Sequence, residues 1–158
     1  MPRGTASAPM LMRGLLVLVA VLAGCVPRAP EPAPPAYVLG AFADDYGSAY
    51  TVTERAWVHR GYARYRVTRW RPTETGGYLL AQNDAANPTD GGLWTRIDWV
   101  RLEGMPPYEW AFCLSAYDAP TEAAAAAVQA AQPEQPRTGC NGFPFSRMRR
   151  MPADSTGT

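Results

Sequence analysis

The sequence predicts a mainly β domain: a small antiparallel meander of about six strands, curled into a barrel-like or strongly curved sheet, with one Ala-rich helix near the carboxyl end. Three observations predict it. About six apolar, aromatic or β-branched runs are each bounded by turn formers. The 158 residues include 16 Pro and 14 Gly, which break the chain into short elements. Only one stretch follows helix logic.

The first run, 37–43, ends in Asp44-Asp45-Tyr46-Gly47, a turn that leads into a second run, 49–59. The third, 63–71, is closed by Pro72 and Gly76-Gly77, and the fourth, 77–82, by a long Asn, Asp, Pro and Gly segment. The fifth and sixth, 93–102 and 108–117, flank Gly104-Met105-Pro106-Pro107. In the sixth, Tyr108, Trp110, Phe112, Leu114 and Ala116 alternate with Glu109, Cys113 and Ser115, so one face is core. In the fifth, Leu93, Thr95, Ile97 and Trp99 oppose Trp94, Arg96, Asp98 and Val100; both faces carry bulk, which predicts cover on both sides. Arg96 and Asp98 point the same way and are placed to pair with each other, or each with an opposite charge on a neighbouring strand. The helix is expected to start after an N-cap at Thr121, run through Ala123 to Gln132 and stop at Pro133. Five consecutive alanines supply propensity but little bulk, so it should lie lightly on the sheet.

Ahead of this domain, Arg3 and Arg13 precede a charge-free apolar run of nine residues, 15–23. That length suits a signal-peptide core and falls far short of the roughly 20 residues of a spanning helix. Leu22-Ala23-Gly24-Cys25 follows, and it resembles the lipobox of bacterial lipoproteins at all four positions. The resemblance implies cleavage before Cys25, acylation of Cys25, and anchoring in the lipid bilayer of the cell envelope; Val26, in place of Asp, implies the outer membrane. Several acyl chains anchor stably where one is marginal. The expected organisation is therefore a signal peptide (1–24), a lipidated Cys25 with a Pro-rich tether (25–36), a β domain (37–151) and a polar tail (152–158). Five prolines among residues 26–36 favour an extended tether, reaching roughly 30 Å at about 3.1 Å per residue.

Once Cys25 is assigned to lipid, Cys113 and Cys140 form an even pair in an exported, oxidising compartment, and a disulfide between them is expected. It would close the loop that contains the helix and contribute about 3 kcal/mol. Two cysteines and one distant histidine are too few ligands for a metal site, and no pattern asks for a cofactor. Charge excludes little but nucleic acid: without the leader, 13 arginines face 14 acidic residues. The loop 83–92 is rich in oxygen ligands, yet turn chemistry accounts for it. His59, the only histidine, has no nucleophile motif around it.

Five Trp and eight Tyr exceed the needs of a minimal core. Trp94, Trp99 and Trp110 are therefore candidate ligand-binding residues of an aromatic-lined barrel. Gly40-Ala41-Phe42 sits where lipocalins place a Gly-x-Trp motif on the first strand, and here the chain resembles lipocalin and avidin-like barrels, with Phe replacing the Trp. No ligand residue carries over from that resemblance. The function this implies is a non-enzymatic, membrane-anchored envelope lipoprotein whose β domain binds an envelope protein or a small apolar ligand. The alternative is an envelope hydrolase with an unrecognised site around His59.

Overall fold

The computed structural model describes Gly4 and residues 31–152. The rest of the expected leader 1–24, the lipobox-like residues with Cys25, the expected tether before Glu31 and the expected tail after Pro152 lie outside the described residues. Among the described residues, eight strands close into an antiparallel barrel in sequence order: β1 (Gly40–Asp44), β2 (Ala49–Val52), β3 (Ala56–His59), β4 (Ala63–Pro72), β5 (Gly76–Asn83), β6 (Trp94–Arg101), β7 (Tyr108–Ala119) and β8 (Ser146–Arg150). β8 closes the cylinder by pairing Phe42 with Arg150 and Asp44 with Met148.

The count is two higher than the six runs predict, for two local reasons. Run 49–59 is not one strand. Thr53 turns it without Gly or Pro: its Oγ1 accepts from Ala56 N at 3.0 Å while its own N–H donates to Ala56 O at 2.8 Å. β8 reads as polar because Met148 is its one apolar residue; Met148 is fully buried, while Arg149 and Arg150 are exposed.

A 3-10 turn, Ala36–Val38, seals one end of the barrel and sends Val38 into the core. Arg150 locks this seal. It donates to the Tyr37 and Leu39 carbonyls and lies over the Phe42 ring at 4.8 Å. Gly40 makes room: with φ +130, a Cβ there would stand 2.7 Å from the Arg150 guanidinium. Packing against the barrel begins before residue 37, the start expected for the domain. Glu31 pairs with Arg71 at 2.6 Å, and Pro32 to Pro34 lie beside β4.

The helix α1 is six residues, Glu122–Ala127, shorter than the run to Gln132 that alanine content predicts. Thr121 is the N-cap, accepting from Ala124 N at 3.1 Å. At the other end Arg96 donates to the carbonyls of Ala126 and Val128, taking acceptors that further turns would need. Only Ala125 is fully buried, against Leu80 and Ala119, so the helix does lie lightly on the outer face.

Cys113 and Cys140 are bridged, with Cα atoms 5.4 Å apart. The bridge pins the segment after α1 to the outer face of β7, where Phe145 buries Ala111 and Cys113. Gly139 is required there: a Cβ would fall 1.9 Å from Gln132 O. Replacing both cysteines with serine is expected to lower stability by about 3 kcal/mol, checked by urea unfolding under non-reducing conditions.

Candidate functional site

Inward residues of β1, β2, β3, β4, β6 and β7 meet as a stack of rings. Trp110 is fully buried and sits edge-on to Phe42 at 5.1 Å and Trp57 at 5.7 Å. Phe112 joins Trp57 at 5.1 Å and Tyr50 at 5.4 Å. Trp99, 3% exposed, packs on Trp70 and donates its indole N–H to the Tyr37 hydroxyl at 3.2 Å. Eight strands leave an interior that side chains can fill, and these rings fill it. Trp94 faces the other way, half-buried outside the barrel with Tyr78 and α1. The three candidate tryptophans are therefore not brought together: two are core and one supports the helix.

The end of the barrel away from the seal has a polar upper layer. Asp44, 5% exposed, accepts from Tyr46 N at 3.0 Å, Ser48 N at 2.7 Å and the Tyr50 hydroxyl at 3.1 Å. Burial and the adjacent carboxylate push the Tyr50 phenol well above its ordinary range, so it remains a donor. His59 stacks on Tyr50 at 4.6 Å and leans on Tyr62 at 5.1 Å. The carboxylate nearest this histidine is occupied by the β1–β2 turn and by Tyr50. Asn83, also buried, holds the loop 84–93 by donating to the Asp90 and Tyr117 carbonyls. Among the described residues no group of three His, Cys, Asp or Glu side chains is placed to hold a metal.

Burial lowers the His59 pKa below its ordinary 6.5, with Asp44 opposing part of the shift. The unfolded chain then binds the extra proton more readily than the folded one. Stability should rise with pH through the window between the folded pKa and 6.5, and fall as acid is added. With one histidine, a single imidazole resonance reports it. Its NMR midpoint is expected below 6.5, and His59→Phe should remove this part of the acid sensitivity.

The main hollow is outside the barrel. The disulfide-held segment stands off β6, β7 and the start of β8, leaving a groove of about 720 Å³. Its floor and roof are apolar: Val100, Leu102 and Ala111 on the sheet, and Pro133, Pro136, Pro144 and Phe145 on the segment. At its far end Asp45 receives Arg147 twice, from the backbone N–H at 3.0 Å and from Nε at 2.8 Å. At its near end it opens beside Met105. Arg101 and Arg137 place cationic groups, and Glu103 an anionic one, on a mainly apolar channel whose size is typical of small-ligand sites.

Sequence reasoning placed Val100 and Leu102 on a strand but assigned no role to Phe145 or the prolines around it. The available signal was Phe143-Pro144-Phe145, an apolar cluster in a turn-rich return segment just after Cys140. No family model, no curated protein and no solved structure matches this chain.

Proposed function

We propose that this chain is a lipid-anchored envelope lipoprotein, acylated at Cys25 and held at the outer membrane, whose barrel is a non-enzymatic binder of a small apolar ligand. The carrying observation is where space lies: the interior is occupied by rings in mutual contact, whereas an apolar groove of about 720 Å³ runs outside, between β6–β7 and the bridged segment. The Leu22-Ala23-Gly24-Cys25 resemblance supports the anchor. The lipocalin and avidin-like resemblance at Gly40-Ala41-Phe42 supports a carrier, with the binding surface moved from the inside of the barrel to its flank.

Burying an apolar ligand there removes carbon surface from water at roughly 25 cal/mol per Å². Arg101 and Arg137 could meet an anionic head, although Glu103 lines the same groove and opposes it. The test is titration of the oxidised protein with a dansylated fatty acid. Saturable binding is expected, weakened strongly by Val100→Glu, which puts a charge on the groove floor, and weakened again by disulfide reduction, which frees the roof. No saturable signal, or binding indifferent to Val100→Glu, would overturn the groove reading.

A further inference from the structure

We propose that the sealed end of the barrel is a bilayer-contact surface, with the β6–β7 loop at Met105-Pro106-Pro107 resting in the lipid headgroup region. This rests on the reading of Cys25 as the lipid anchor. Three independent placements carry it.

The first is chain length. Cys25 lies six residues before Glu31, and six residues span at most about 20 Å. Glu31 is itself tied to Arg71 at the end of β4, so the barrel end that holds Arg71 is kept within that reach of the acyl chains. The second is topology. The ends of β2, β4, β6 and β8 and the starts of β1, β3, β5 and β7 lie at the end sealed by Ala36–Val38, and the β6–β7 loop is therefore on the same rim as the incoming tether.

The third is the chemistry of that loop. Met105 is 41% exposed, Pro106 and Pro107 are exposed beside it, and Leu102, Tyr108 and Tyr37 border a shallow hollow of about 300 Å³ behind them. Arg101 lies over the Tyr37 ring at 5.3 Å, and Arg149 and Arg150 end β8 on this rim. An apolar tip backed by tyrosines suits the boundary between acyl chains and headgroups; Glu103 and Glu109, the latter 3.5 Å from Arg150, offset the rim arginines, so the tip rather than net charge carries the contact. Among the described residues the other large exposed apolar side chains, Tyr46, Tyr62, Tyr117 and Phe143, lie toward the opposite end. Intrinsic affinity of so small a tip is low, but the anchor makes the contact intramolecular, at an effective concentration in the millimolar range.

The test uses the full-length lipidated protein with nitroxides at Met105→Cys or Tyr62→Cys, labelled with the native disulfide intact. Each is compared in detergent-free vesicles of phosphatidylethanolamine and phosphatidylglycerol. Collision with a water-soluble nickel complex should fall several-fold at position 105 relative to position 62, while collision with oxygen rises. Mass spectrometry of the Cys25 peptide from the same sample separates two failures. A lipidated Cys25 with position 105 as wet as position 62 overturns the contact surface alone; an unmodified Cys25 overturns the anchor and the contact with it.

Discussion

Trp110→Ala is expected to destabilise the barrel by about 3–5 kcal/mol, the range for truncating a fully buried tryptophan. The ring meets Phe42, Trp57 and Phe112 inside the cylinder, and none of these can collapse into the gap without leaving its other partners. The indole N–H has no hydrogen-bond acceptor among the described residues, so the loss is one of packing. Trp94→Ala, outside and half-buried, should cost far less. Urea unfolding of both variants checks this. A loss of only about 1 kcal/mol for Trp110→Ala, typical of ordinary positions, would mean an interior with slack, as a ligand cavity has.

Asp98→Ala should cost a similar amount, about 3–5 kcal/mol, because it strips a buried cation of its partner. Asp98 accepts from Arg96 Nε and Nη2 at 2.9 Å each and from the Ser115 hydroxyl. Both members of the pair are less than a tenth exposed. Arg96 also lies over the Tyr78 ring at 4.0 Å and holds the carboxyl end of α1, so losing Asp98 should loosen the helix as well. Arg96→Met with Asp98→Leu removes both charges and should cost less than the two single losses together, which a double-mutant cycle in urea reads directly.

The barrel was legible in the sequence wherever one face of a strand carries the pattern alone. Trp110, Phe112 and Leu114 alternate with Glu109, Cys113 and Ser115, and β7 follows that reading. Bulk on both faces of β6 foretold its double cover; the spacing of Arg96 and Asp98 allowed their pairing but equally a partner for each on a neighbouring strand. Two strands were hidden for reasons a local pattern cannot show. The Thr53 turn is built from one hydroxyl rather than from Gly or Pro. β8 is a strand because β1 and β7 offer it both edges, although four of its five residues are polar. The helix stopped early because Arg96, thirty residues away, competes for its carbonyls.

The groove was hidden more deeply. Its walls come from the end of β6 and from a segment more than thirty residues later, and only the bridge at Cys113 and Cys140 brings them face to face. The even pair left once Cys25 is assigned to lipid predicted the bond. That count held no information about the groove that Val100, Phe145 and the prolines line. Aromatic content pointed inward, to a lined cavity, but closing eight strands spends those rings on packing.

The most direct measurement is the footprint of a bound dansylated fatty acid on the amide and indole NMR spectrum of the oxidised protein. Saturable shifts centred on Val100, Leu102, Ala111 and Phe145, with the indoles of Trp57 and Trp110 unmoved, are the predicted result. Shifts centred on Trp99 and Trp110, with the groove residues unchanged, would show that the interior opens to take the ligand and would contradict the account.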